Sequence, residues 1–240
     1  MAPSYSEETI RLTNGEWAPF LSENANHYGY YSHIVTEAFK QVDIKTEYGF
    51  FPWQRSIFYA KKSKKWDGGI AFSITDKREK SYIFSDAIAE SCVVLFHLKK
   101  HAFNWSSTQD FQKLKFGGTA GYNTLEKLQK IKQSGVPFSI ETAISDQLNF
   151  RKLVAERINI FPCNLEVGLG LIQQEFPSDI AKSITYSKKK FYCDSYHIGF
   201  PKQIEKSKYW LKKFNLGLKL LHKNGKYKQL NDAFIQGNYN

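Results

Sequence analysis

The spacing of apolar residues along this chain switches repeatedly between a period of two and a helical period. Thr9–Thr13 alternates and predicts a strand, and Tyr30–Val42 predicts a helix that gathers Ile34, Val35, Ala38 and Phe39 on one face. Lys45–Phe51 alternates again. Pro52 then opens a helix running to about Lys64, because proline's fixed φ suits a first helical position. Gly68–Phe72 is a short apolar strand, Thr75 caps a brief helical turn through Lys80, and Ser91–Leu98 is a β-branched and aromatic strand.

The same alternation then restarts. Lys115–Thr119 reads as a strand, with Gly121 leading into a helix through Gln133. Phe138–Thr142 is a strand, with Ser145 capping a helix through Glu156. Ile158–Pro162 is a strand, followed by a helix from about Leu165 to Glu175. After a strand at Ser195–Phe200 the tail is helical, Ile204–Asn224 and Tyr227–Phe234, with Gly225 as the stop signal between them. Two successive strand–helix–strand–helix–strand runs argue for two α/β lobes with mostly parallel sheets, and for a cleft between the lobes. In such sheets ligands meet the loops that leave the carboxyl ends of strands.

Five loops occupy that position. The first carries Glu16 and Trp17. The second carries Trp53 and Arg55 at the start of a helix. The third, Ala71-Phe72-Ser73-Ile74-Thr75-Asp76-Lys77-Arg78, offers a hydroxyl at Ser73 and a planar two-pronged donor at Arg78, suited to a carboxylate. The fourth is glycine-rich, with Gly121, Tyr122 and Asn123 between strand and helix, yet it lacks the Gly-Lys-Ser/Thr of a P-loop. The fifth carries Asn164 and Glu166. For each, a plain structural reading stands beside the functional one: tryptophans packed on the core, Glu16 solvated, and Arg78 paired at the surface with Asp76 or Glu79.

Composition narrows the partners. The 240 residues are 42% hydrophobic and 24% charged, the profile of a globular protein long enough for two small domains. The net charge of +11 favours anions, but its lysines lie in short separated clusters and no nucleic-acid-reading module appears, so no nucleic acid is expected. Six histidines and three cysteines show no metal spacing, so neither metal nor cofactor is expected. Cys92, Cys163 and Cys193 allow one disulfide plus a free thiol, or none. His97 and His197 fall in the segments between the two runs, where a structural role is expected. No apolar run spans a bilayer, and Met1–Ser6 lacks the features of an export signal. No serine-hydrolase, zinc-protease or nucleotide-binding signature is present, and no enzyme activity is expected.

Trp66-Asp67-Gly68-Gly69, Ser73-Ile74-Thr75-Asp76-Lys77-Arg78 and Phe84-Ser85-Asp86, together with Trp17-Ala18-Pro19-Phe20, Gly121 with its helix, and Arg157-Ile158-Asn159 through Asn164, resemble the extracellular solute-binding proteins of family 3 that serve ABC transporters for polar amino acids. The similarity runs from about Thr9 to Tyr227. It implies a periplasmic-binding-protein-like fold of type II, two α/β lobes joined by two crossover segments, with lobe 1 at 1–98 and 195–240 and lobe 2 at 99–194. It further implies a monomeric, periplasmic protein that hands a small-molecule ligand, an amino acid or small carboxylate, to a membrane ABC permease. The lobes would close on that ligand by a hinge motion. Carried over, Arg78 clamps the ligand carboxylate with Ser73 and the backbone near Asn123, Trp17 covers the apolar part, and the Ala71 carbonyl accepts from an ammonium. The family usually has Asp where Asn164 stands, so Glu166 or Glu16 would supply the missing charge, or the ligand is not an α-amino acid. A sensory domain with a membrane partner, or a dehydratase-like enzyme, are the alternatives on the same fold.

Overall fold

The computed structural model describes residues 8–62, 64–101 and 103–239; Met1–Ser6 lie outside them. The chain forms two compact units: one ends at Glu90 and resumes at Ser195, the other is Ser91–Asp194.

In the first unit, β1 (Glu8–Asn14) lies parallel to β2 (Ile44–Phe50), in register from Glu8 opposite Ile44 to Asn14 opposite Phe50. The helix α1 (Tyr30–Lys40) connects them, and α2 (Trp53–Lys62) leads from β2 to β3 (Gly68–Phe72), whose Leu12–Gly68 and Thr13–Gly69 pairs with β1 are also parallel. These are βαβ crossovers, as the alternating pattern implies. A short α3 (Asp76–Glu79) and β4 (Tyr82–Phe84) follow, and β5 (Ala89–Leu98) takes the chain into the second unit.

The second unit pairs β6 (Lys115–Thr119) in parallel with β7 (Ser139–Ala143), with α4 (Asn123–Gln133) between them in sequence. After α5 (Asp146–Val154), Ile160 bridges in parallel to Phe116, and β8 (Phe161–Asn164) lies antiparallel to β5. The helices α6 (Leu165–Glu175) and α7 (Ser178–Ser183) lead to β9 (Ile184–Tyr186), which also pairs antiparallel with β5. Its apolar core centres on Phe111, Phe116, Leu128, Phe138 and Ile160. The strand β10 (Tyr192–Pro201) brings the chain back, pairing antiparallel with β3 and β4, and α8 (Lys206–Lys223) and α9 (Lys226–Ile235) complete the first unit.

Two differences from the sequence reading have plain causes. The strand placed at Ile158–Pro162 is Phe161–Asn164, because residues 158–160 bend to meet β6: Asn159 Oδ1 and the 160 amide both engage Lys115. The sheets are also less parallel than alternation suggests, since β5 and β10, which carry the chain across, run against their neighbours. β4, β9 and α7 are too short, at three, three and six residues, to show a period.

Close helix packing makes one glycine indispensable. A Cβ at Gly217 on α8 would stand 1.9 Å from the Ala38 carbonyl oxygen of α1. Gly217→Ala is therefore expected to destabilise by about 1–3 kcal/mol through overpacking, although alanine is the better helix former. Gly170→Ala in α6, where a Cβ meets nothing within 4 Å, should instead stabilise by about 0.5–1 kcal/mol. Urea unfolding of both variants tests this; the same sign for the two would overturn it.

Candidate functional site

The first unit builds its candidate residues at the end of β3. All five residues of that strand are buried. Between the pairs Gly69–Gly199 and Phe72–His197 the register slips, leaving two residues of β3 opposite one of β10. The slip falls at Ala71, whose φ of 59° lies in the left-handed region. A side chain there costs about 1–2 kcal/mol, and a bulged residue drops out of the ladder. The sequence reading assigned the carbonyl of this residue an acceptor role.

Two residues further on, the strand hands over to α3. Thr75 caps the helix by accepting the Arg78 amide at 3.2 Å, the cap read from sequence. One turn of helix brings Arg78 back over the strand end. Its Nη1 donates to both the carbonyl and the hydroxyl of Ser73, each at 3.0 Å, and its guanidinium lies 5.3 Å from the Phe72 ring centre. Arg78 and Ser73 are buried, at 9% and 4% exposure, which replaces the plain reading of Arg78 as a surface residue. One edge of the fork is anchored before any ligand arrives.

The other candidates of this unit are placed differently. Trp17 is 8% exposed and packs on Phe20, Tyr31 and Tyr196, so it is a core wall, and its buried Nε1 has no hydrogen-bond partner. Glu16 is exposed and one oxygen accepts the Glu23 amide at 2.9 Å, closing its own loop. Trp53 packs with Phe72 and Tyr82, and Gly15 beside it has no room for a Cβ, which would meet the indole at 2.5 Å. Arg55 is exposed on α2.

In the second unit, Gly121 has a φ of 84°, the turn that lets β6 pass into α4. Tyr122 takes the extended conformation of an N-cap residue without a side-chain cap bond. Asn123 opens α4 and donates from Nδ2 to Asp194 Oδ2 at 2.6 Å. Asn164 is the last residue of β8, buried, with Nδ2 donating to Ser91 Oγ at 2.9 Å; Ser91 in turn donates to Glu166 Oε2 at 3.2 Å. Of the two acids that could replace the family's usual Asp, Glu166 is thus tied to Asn164, whereas Glu16 is tied to its own loop.

Below this layer lies a buried polar cluster. Asp146, at the start of α5, accepts the Thr119 hydroxyl at 2.5 Å and faces the Cys163 thiol at 3.8 Å; Asn149 also donates to Thr119, at 3.0 Å. Burial pushes the Asp146 carboxyl up to about 6, against the opposing hydrogen bonds from Thr119 and Cys163. Burial likewise pushes the Cys163 thiol well up, helped by the Asp146 charge. Such a thiol is a poor nucleophile. Cys92 and Cys193 form a disulfide. Among the described residues no group of three or more His, Cys, Asp or Glu is placed to share a metal ion. His97 and His197 are buried and bonded to backbone carbonyls of Leu98 and His101, and of Ser85, which is a structural use.

Ser91, Asp194 and Asp146 escaped the sequence reading. Ser91 and Asp194 each adjoin a disulfide cysteine, so knowledge of that pairing was the signal that could have found them.

The family model for bacterial extracellular solute-binding proteins, family 3, matches residues 10–237. No curated protein matches the chain by sequence. Among solved structures, an ancestral arginine-binding protein bound to arginine is similar at 22% identity and a TM-score of 0.79, covering 94% of this chain and 97% of its own. A histidine kinase sensor domain with similarity to periplasmic binding proteins matches at 15% identity and 0.79, covering 95% and 96%. An amino acid ABC transporter substrate-binding protein from Streptococcus pneumoniae, bound to L-arginine, matches at 16% identity and 0.77, covering 98% and 97%.

The buried acid makes stability depend on pH. Asp146 holds its proton to about pH 6 when folded, against about 3.9 when unfolded, so its stabilising contribution is full below pH 4 and is lost as pH rises through 6. Asp146→Asn keeps an acceptor for Thr119 and removes the buried charge. The variant should melt roughly 5 °C above the wild type at neutral pH, and level with it at about pH 4. Thermal melts across that range decide it: a constant difference between the two proteins would exclude an ionised, destabilising Asp146.

Proposed function

The chain belongs to the bacterial extracellular solute-binding proteins, family 3, and from that premise we propose that it is the receptor of an ABC-type uptake system, taking an amino acid or related small carboxylate. In this reading Arg78 and Ser73 bind the carboxylate and the Ala71 carbonyl accepts a donor group, while Asn123, Asn164 and Glu166 are the ligand-facing groups of the second unit. Gly121 and Tyr122 supply the backbone turn that presents Asn123. Trp17 and Trp53 shape the wall behind rather than stacking on the ligand, and Glu16 and Arg55 stand back from it. The protein acts outside the cytoplasmic membrane with a membrane permease, and returns its ligand unchanged.

The observation that carries this reading is the buried, pre-aimed Arg78. A guanidinium at 9% exposure, fixed along one edge by Ser73 and backed by Phe72, is costly to bury. In this reading a carboxylate adds a bidentate partner to those Arg78 already has, and the fixed fork loses little entropy on binding. The disulfide agrees with an oxidising compartment. A sensory role is the second reading, and the similarity to a kinase sensor domain favours it. Uptake of the bound solute by cells, lost on deletion of the gene, would separate transport from sensing.

The test is a thermal-shift and calorimetric panel of L-arginine, L-glutamine, L-glutamate, dicarboxylates and sugar acids. A ligand that binds only the native form raises the melting temperature by mass action. Arg78→Ala should weaken binding of every carboxylate in the panel by about 30-fold or more, the effect of removing one partner of a buried charge pair. It should leave amides and amines of the same skeleton less affected. Equal affinity for a carboxylate in wild type and variant would remove Arg78 from the site.

A further inference from the structure

The three side chains assigned to the ligand in the second unit share one support. Asn164 and Glu166 are both bonded to Ser91, the residue before Cys92, at 2.9 and 3.2 Å. Asn123 is bonded to Asp194, the residue after Cys193, at 2.6 Å. On the other side of Cys193, Tyr192 bonds the Thr124 hydroxyl of α4 at 2.6 Å and lies under the Lys127 ammonium at 4.4 Å. Cys92 and Cys193 are covalently joined, with their Cα atoms 4.0 Å apart. The loops after β6 and β8 therefore hang from residues that flank one covalent bond, which joins β5 and β10 beside their backbone pairing.

We propose that the Cys92–Cys193 disulfide sets the binding half of this unit, with Ser91 and Asp194 as positioning residues, so that ligand affinity follows the redox state of the bond. The inference rests on the reading that Asn123, Asn164 and Glu166 touch the ligand. The chemistry needs a dithiol reductant. One of its thiolates attacks a protein sulfur, and its second thiol resolves the mixed disulfide. Two electrons and two protons pass to the protein, leaving Cys92 and Cys193 as thiols and the reductant as a cyclic disulfide. Cys193 is exposed and Cys92 half-buried, so the bond is within reach of a small dithiol.

Once reduced, the two sulfurs withdraw to a nonbonded separation and the adjoining residues move with them. Hydrogen bonds weaken steeply with distance and angle, so bonds that hold at 2.6–3.2 Å do not follow such a shift intact. The core of the unit has packing of its own. Leu95, Phe111, Phe116 and Leu128 are fully buried, and β6 and β7 pair over five residues. Reduction should loosen the ligand loops and spare the core. A disulfide that served only as a staple would lower the stability of the whole unit on reduction and leave these loops in place in the folded state.

The experiment uses the full chain, labelled with 15N, oxidised and then reduced with dithiothreitol. The side-chain amide signals of Asn123 and Asn164 should shift, and their exchange with solvent should quicken tenfold or more, while the backbone amides of 116–119 stay in place. Asn signals that do not move, or a collapse that takes the 116–119 amides with them, overturn the proposal. Ser91→Ala and Asp194→Asn, each with the disulfide intact, should reproduce the change at Asn164 alone and at Asn123 alone; both variants disturbing both signals would overturn it as well. Whichever of L-arginine, L-glutamine and L-glutamate binds the oxidised chain should bind the reduced chain at least tenfold more weakly, and equal affinity would sink the link to binding. Silence from every compound of the earlier panel in the oxidised chain counts against the receptor reading itself, and the two Asn signals alone then decide whether the disulfide positions these loops.

Discussion

The arrangement depends first on how the chain is threaded. The second unit is one continuous stretch, Ser91–Asp194, and the first unit is assembled from what lies on either side of it. Every native contact of α8 and α9 with α1 therefore closes a loop of well over a hundred residues, which folding must do against chain entropy. The disulfide lies one residue inside each end of the inserted stretch and joins cysteines 101 positions apart in sequence. On the loop-entropy account such a closure is worth about 4–5 kcal/mol, taken from the unfolded chain. A unit tied at its base can form its own core irrespective of the state of the flanking segments.

The same economy of support governs the first unit, with backbone strain in place of a covalent bond. Ala71 holds a left-handed φ inside a strand whose residues are all buried. Nothing about alanine favours this; glycine would adopt it more readily. The conformation persists because its neighbours over-determine it: Phe72 is packed against Trp53 and Tyr82, and Arg78 grips Ser73 two residues on. Strain, bulge, buried guanidinium and helix cap fall within eight residues. The strain and the buried charge are locally unfavourable, the Thr75 cap helps to offset them, and together they fix the position of one cation. That concentration is what a pre-organised carboxylate site requires, and it is hard to justify as a device for stability.

How far the sequence displays all this depends on whether the physics is local. Thr75 and Ser145 were legible as caps because a hydroxyl three residues before an orphan amide makes that bond whatever the fold, and both do so here. Gly225 was legible as a stop for the same reason, with its φ of 77°. β3 and β6 were found at their observed limits since apolar runs bounded by turn residues leave little choice. The bulge at Ala71 was not legible, because it arises from a register with β10 more than a hundred residues away. Ser91 and Asp194 were not legible either. A serine and an aspartate in a strand carry no pattern, and their meaning comes from a disulfide whose partners sequence spacing could not assign. The family resemblance pointed to particular loops, but it could not say that Glu16 closes its own loop or that Trp17 is walled in by Phe20, Tyr31 and Tyr196.

Asn164 in the place of an acid has a local explanation that does not depend on any ligand. The Cys163 thiol beside it responds to burial first, then to the Asp146 carboxylate and more weakly to Glu166, so two acids already act on the end of β8. Asp146 shares hydrogen bonds with the neutral Thr119 and Cys163, and burial has raised its pKa against them. A carboxylate at 164 would add a third negative charge to this strand end. It would also compete for Ser91, whose single hydroxyl proton is given to Glu166 while its oxygen accepts from the Asn164 amide. The amide is the one side chain of that shape that completes the chain of donors from Asn164 through Ser91 to Glu166 without adding charge. The neutral residue is thus compatible with where the other carboxylates stand, and Glu166 is held by that chain in the first turn of α6.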